Sequence, residues 1–224
     1  TFTAIGTEAT LVRNYNIWDE AEAYTESAPK GIQNRFRSRS GEPFNILEEP
    51  DHLVVAASER EVIPYHEGIY TIYAQARSVV ESWYLQIKVD GLEYVSSAQA
   101  VLSGMVGSNL IATNTRVTEP EAAIWFNLQK SDDKGVPVIC TVFGTFGRID
   151  RSTNNLEVTF NIQTTDGKTV VRTFDISGLF ETENAIRHHW LLLDETIKID
   201  PPQTGGGFDP KVDDWDEEHH DVII

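Results

Sequence analysis

Few residue groupings in this chain have the types and spacing that chemistry requires. A catalytic serine sits on a strained elbow of the form Gly-x-Ser-x-Gly, with a histidine and an acid elsewhere. Ser103, in the run LSGM, has no glycine two places before it, so Gly104 and Gly107 read instead as a bulge or tight bend at a strand end. The histidines fall in adjacent pairs, His188-His189 and His219-His220. Adjacent strand residues point to opposite faces, and the helical pattern of two histidines around a glutamate is missing, so neither pair is expected to hold zinc. The acids of DPKVDDWDEE (209–218) suggest calcium. A calcium loop, however, needs alternating ligands, a glycine at its sixth position and a closing glutamate, and no glycine follows Gly207. Glu48, Glu49 and Asp51 show no pairing that marks a glycosidase dyad, whose members come from distant strands. Trp18, Trp83, Trp125 and Trp190 lie in or near alternating or amphipathic runs. Core packing is their expected fate, and a sugar-stacking platform is the alternative. Cys140, in PVICTVFG, is expected to be a buried, inert thiol. The chain is therefore expected to have no catalytic residues, cofactor or metal.

Composition narrows the partners. The 224 residues carry a net charge of −17, with 18 basic and 35 acidic side chains. Nucleic-acid binders need clustered Lys and Arg to displace counterions, and anionic lipid attracts polybasic segments, so neither surface suits this chain. With ten Phe, seven Tyr and five Trp there is ample material for a packed core. The single cysteine rules out an intramolecular disulfide. No apolar run approaches the length of a membrane span. The sequence starts at Thr1 with neither an initiator methionine nor a leader, so a signal segment or lipid-anchor cysteine is expected upstream.

The elements that must position any site read as strands. GIYTIYAQA (68–76) and WYLQIKV (83–89) alternate apolar and polar residues. AQAVLSGM (98–105), AAIWFNLQ (122–129), VICTVFGTF (138–146) and WLLLDETIKI (190–199) are rich in β-branched and aromatic residues. LEVTFNIQTT (156–165) meets TVVRTFDI (169–176) across Asp166-Gly167, which predicts a hairpin with a type I′ turn. Val158, Phe160 and Ile162 share one parity and are expected in the core, with Val170, Arg172 and Phe174 alternating on the partner strand. A short helix is expected near SGLFETENA (177–185). Before residue 60 the signals weaken. ATLVRNY (9–15) and HLVVAAS (52–58) have strand character, IWDEAEAYTE (17–26) fits a short helix or an extended edge, and Arg35, Arg37 and Arg39 suggest an exposed basic loop. The pattern is that of an all-β antiparallel sandwich. It divides into an N-terminal β region with linker (1–63), a C-terminal β-sandwich domain (64–200) and a tail (201–224).

The tail has its own logic. Pro201-Pro202 stops strand continuation, Gly205-Gly206-Gly207 makes a flexible joint, and seven acids against Lys211 surround Trp215 before the chain ends on Val222-Ile223-Ile224. A bare solvated tail needs neither Phe208 and Trp215 nor three terminal aliphatics. Phe208 and Trp215 are expected to anchor the segment to a protein surface, and Val222, Ile223 and Ile224 to add an edge strand there.

Three stretches carry a family resemblance: SAQAVLSGMVGSNLIATN (97–114); the run from GTFG (144–147) through LEVTFNIQTTDGKTVVRTFDIS to RHHWLLLD; and the tail TGGGFDPKVDDWDEEHHDVII (204–224). EPFNILEEPDHLVVAASEREVI (42–63) fits as a linker between two domains. The chain resembles the fimbrillin-like lipoproteins of Bacteroidales, in particular a branch known only as a domain of unknown function. The resemblance implies tandem transthyretin-like or immunoglobulin-like β-sandwich domains, the N-terminal one incomplete. It also implies a lipid-anchored outer-membrane protein at the cell surface. Its partners would be other fimbrial subunits or host surface ligands, with no nucleic acid and no membrane contact beyond an upstream anchor. The expected function is a non-enzymatic fimbrial subunit or adhesin-like protein; the alternative is a surface module on the same scaffold that binds glycans or peptides. Deleting residues 205–224 is expected to lower the melting temperature or raise aggregation. Equal stability and monodispersity of the truncated chain, with unprotected amides across 208–224, would leave the tail without a docking role.

Overall fold

Alternating runs bury one face of a strand and leave the other to solvent, and the second half of the chain is built that way. The computed structural model describes residues 2–5, 8–36, 45–57, 62, 64–65, 67–149 and 156–202. The first elements are β1 (Phe2–Ile5), β2 (Leu11–Arg13), β3 (Glu22–Tyr24), helix α1 (Lys30–Arg35), β4 (Ile46–Glu48), β5 (Val54–Ala57) and β6 (Ala76–Ser78). Longer strands follow: β7 (Glu81–Asp90), β8 (Val95–Met105), β9 (Ser108–Leu110), β10 (Thr115–Val117), β11 (Ala122–Asp133) and β12 (Val136–Thr145). The last are β13 (Glu157–Thr164), β14 (Thr169–Asp175), helix α2 (Glu183–His188) and β15 (Trp190–Lys198). The fold is all-β, and among the described residues the two α-helices have six residues each.

One strand organises the larger sandwich. Residues 122–128 of β11 pair with β8, whereas residues 129–133 pair with β12. One sheet therefore runs β14-β13-β8-β11, with β4 added beside β11, and the other runs β11-β12-β7-β15. Their inner faces enclose Leu85, Ile87, Leu102, Phe126, Phe143 and Phe160, among others. Phe126 and Phe143 stack with centroids 4.4 Å apart; full burial of one such side chain contributes about 2–3 kcal/mol. β8 bulges against β11 near Gly104, where the register shifts and φ is positive.

A smaller pair of sheets, β1-β5-β6 and β10-β9-β3-β2, encloses a second core of Ala23, Val55, Val79, Ile111 and Phe146. Its β3 comes from residues 22–24 and pairs with β9 at residues 108–110. The nearly buried Glu22 carboxylate secures that junction. Arg13 donates to it through Nε and Nη2, each at 2.8 Å, and Ser108 Oγ donates as well. The Arg13 hydrogen bonds hold Glu22 below the usual carboxylate range, while burial opposes them. Helix α1 covers the outer face of the larger sandwich, packing Ile32 and Phe36 on Val101 and Ala123.

The structure corrects several expectations. GIYTIYAQA does not form a strand: only Ala76 joins one, and Ile69 and Tyr73 are 95% and 92% exposed. β5 pairs Val54, Val55 and Ala56 with β6, and continuing that register would set the alternating run against residues that include 58–61, which lie outside the described residues. Two pairings, β15 with β7 and β4 with β11, are parallel rather than antiparallel. After β14 the chain crosses to the other sheet through helical turns, and a strand that changes sheets need not reverse against its new neighbour. Cys140 is half-buried, on the outer face of its sheet. His188 ends α2 and His189 caps it with φ 58°, so the pair does not lie on a strand. Helix α1 (Lys30–Arg35) stands where a basic loop was expected, and Arg37 and Arg39 lie outside the described residues.

The hairpin forms with Val158, Phe160 and Ile162 fully buried and Val170 and Phe174 packed against the core. Arg172 shares that face, opposite Phe160, and is exposed there because β14 is the edge strand of its sheet. Its turn differs from the expected type. Gly167 N donates to Thr164 O at 3.0 Å and Thr164 N to Lys168 O at 2.9 Å, and only Gly167 of the loop has positive φ, at 82°. This is a three-residue loop, a type I turn closed by a left-handed glycine. Nothing lies within 4 Å of a Cβ built at Gly167, so a side chain there meets only backbone strain. Gly167→Val is expected to cost about 1 kcal/mol, read as a melting temperature a few degrees lower, with Gly167→Asn nearer the parent because asparagine tolerates this conformation.

Candidate functional site

Where β11 turns from β12 toward β8, a gap opens. Beyond that point β12 continues, and among the described residues its residues 141–145 pair only with β7. The gap is a cleft of about 440 Å3, with Trp125 and Asn127 of β11 on one side and Val142 and Gly144 of β12 on the other. Phe126 and Phe143 line its depth.

Residues 48–52 lie across this opening, and local chemistry pins them there. A Cβ at Gly144 would sit 2.0 Å from the Pro50 carbonyl oxygen, so only glycine permits this approach. Gly144 N donates to Glu49 Oε2 at 3.2 Å. Asp51 Oδ2 accepts from Glu8 N at 2.6 Å and Ala9 N at 2.7 Å, and Thr10 Oγ1 donates to Asp51 O at 3.1 Å. Glu48, Glu49, Asp51 and His52 therefore ring the cleft. Burial pushes the Glu49 carboxyl up, and the Asp51 charge adds to this against the Gly144 hydrogen bond. On the β11 side, Asn127 Oδ1 accepts from Gln99 Nε2 at 3.1 Å, and Asn127 is exposed. The buried Trp125 Nε1 has no acceptor among the described residues. Among the described residues no Lys or Arg lines the cleft.

The cleft opens onto the outer face of the second sheet. Val142 pairs across to Tyr84, and Tyr84 to Trp190, so the three form one row over β12, β7 and β15. Val142 is 65% and Trp190 45% exposed. The Tyr84 and Trp190 rings meet edge to face at 6.4 Å, and His188 lies 4.9 Å from Trp190. Tyr84 Oη donates to Gln86 Oε1 at 2.7 Å, and burial, joined by the Cys140 thiol, pushes the phenol up to about 12. Trp83 keeps the core position expected of it, and His189 stacks on it at 4.5 Å. Trp190 faces solvent instead, because Leu191 and Leu193 hold the inward parity. In a run of Trp and three leucines both parities look apolar, which is why the sequence did not single it out. The expected tail residues Phe208, Trp215, Val222, Ile223 and Ile224 lie outside the described residues, so the structure places none of them at a site. Among the described residues no three His, Cys, Asp or Glu side chains gather as a metal set, and no helix is long and apolar enough to cross a membrane.

The profile of DUF5119, a domain of unknown function, matches residues 4–127, more than half of the chain. The chain belongs to the DUF5119 family. The matched span includes the LSGM strand, while the hairpin and the tail lie beyond it. No curated protein matches. Among solved structures the chain is similar to a candidate adhesin from Bacteroides ovatus ATCC 8483, at 20% identity and TM-score 0.65, over 91% of this chain and 74% of that one. That likeness establishes a shared fold. A second candidate adhesin of Bacteroides ovatus gives 10% identity and TM-score 0.46, over 89% of this DUF5119 member and 66% of that chain. The fimbrial anchor protein Mfa2 of Porphyromonas gingivalis gives 12% and 0.38, over 80% and 54%.

The raised Glu49 carboxyl fixes the sign of a pH effect. Its charge opposes folding above the folded-state pKa, and the penalty fades as pH falls toward the unfolded value of about 4.3. Glu49→Gln keeps an acceptor for Gly144 N and removes the charge. Thermal melts from pH 4 to 8 are expected to show the variant at least as stable as the parent at pH 7.5, with any gain shrinking toward pH 4. A variant clearly weaker at pH 7.5 would show that the charge is stabilising.

Proposed function

We propose that this chain is a non-enzymatic cell-surface protein of the fimbrial or adhesin-like kind, related to the fimbrillin-like lipoproteins and held at the outer membrane through a lipid anchor. The observation that carries this reading is the fold shared with a candidate adhesin across 91% of the chain. Its partners are other fimbrial subunits or ligands on host surfaces. The tail contributes through Phe208 and Trp215 as anchors and Val222-Ile223-Ile224 as an added strand, on the chain's own sandwich first and on a neighbouring subunit as the alternative. A second reading, a glycan- or peptide-binding surface module, is favoured by the row of exposed Val142 and Trp190, with half-buried Tyr84 between them, beside the cleft. In the bacterium that encodes the protein, antibodies raised against it are expected to label intact cells. Deleting its gene is expected to lower attachment to host cells several-fold at unchanged growth. Labelling only after lysis, or unchanged attachment, would overturn the reading.

A further inference from the structure

We propose that the cleft between β11 and β12, together with the Val142-Tyr84-Trp190 row, binds a neutral pyranose saccharide. The inference rests on the surface-module reading above and names its ligand. The volume of about 440 Å3 lies in the range of small-ligand sites. The lining combines the two things a sugar ring needs. Its hydroxyls are donors and acceptors at once. Carboxylates accept only, and an amide both donates and accepts. Glu48, Asp51 and Asn127 supply that mixture at the rim. The C–H face of the ring is apolar and flat, and it rests on side chains such as Val142, Tyr84 and Trp190. Val142 and Trp190 are exposed beside the cleft with Tyr84 half-buried between them, and Tyr and Trp suit a surface that is apolar at one end and wet at the other.

Charge selects among saccharides. With no Lys or Arg in the lining among the described residues and a net charge of −17 on the chain, sialylated and sulfated sugars meet the repulsion of Glu48, Glu49 and Asp51. A peptide added as a strand fits less well. It needs a row of free backbone groups, and the open side of β12 is closed by residues 48–52, with Gly144 N already committed to Glu49.

The test uses the full chain on a printed array of neutral, sialylated and sulfated oligosaccharides. The strongest neutral sugar is then titrated by calorimetry, with an oligolysine peptide as comparator. Binding is expected among the neutral sugars. Asn127→Ala and Trp190→Ala, both at exposed positions, are each expected to weaken it at least tenfold at unchanged melting temperature. Val171→Ala, on the far edge strand β14, is expected to leave it alone. An array blank for neutral sugars, binding confined to anionic sugars, oligolysine binding in place of sugar, or affinity indifferent to Asn127 and Trp190 would each overturn the proposal. Intact cells that label with antibody while the array stays blank would sink this inference and leave the surface assignment standing.

Discussion

The backbone hydrogen bonding of β11 is the constraint on which the larger sandwich depends. A strand has two edges, and each can be satisfied by a different neighbour at different points along its length. β11 uses its first half beside β8 and its second beside β12, so the two sheets are joined covalently at one side and must separate at the other. The stacked pair Phe126 and Phe143 sits where the strands part. Beyond that point β12 has backbone groups that β11 no longer reaches, and the crossing segment at residues 48–52 lies across them, with Glu49 accepting from Gly144 N. The cleft is thus a product of topology: the fold creates the opening, and the side chains of the crossing segment set its chemistry.

Two glutamates show how environment sorts identical groups. Glu22 is nearly buried, yet its carboxyl is pulled down because Arg13 and Ser108 donate to it. Glu49 has only a backbone donor at 3.2 Å and the charge of Asp51 nearby, so burial prevails and its carboxyl is pushed up. The first holds its site best as an anion. The second lies at a rim where its charge is costly and where an incoming hydrogen-bond donor would relieve that cost. The contrast separates a structural carboxylate from one placed beside an opening.

Where both partners of a pairing were long and patterned, the sequence was legible. The runs at 83–89, 98–105, 122–129, 138–146, 156–176 and 190–199 became strands, and the parity of Val158, Phe160 and Ile162 held through the hairpin. The failures have a common physical cause. GIYTIYAQA has the right alternation, yet of it only Ala76 pairs with β5, and the same register would set the rest against residues that include 58–61, outside the described ones. Helix α1 is a six-residue element that depends on burial of Ile32 and Phe36 rather than on its own propensity. Cys140 and Trp190 lie on an outer face whose apolar character hides the parity. The cleft was not legible either. Glu48, Glu49 and Asp51 were visible as a carboxylate group, but what they face depends on the departure of β11 from β12 more than seventy residues later, and no local pattern encodes that.

The pairing of β3 with β9 has a consequence for the order in which the molecule is made. Residues 22–24 leave the ribosome long before residues 108–110, their hydrogen-bonding partners, and β4 likewise waits for β11. Such wide separation between contacting residues slows folding, because loop closure must precede any gain. During that interval the early strands present bare edges to every neighbouring copy. Part of the acid excess is already present at that stage, with 15 acidic against 8 basic side chains in residues 1–110, and mutual repulsion works against association of the waiting strands until their own partners emerge.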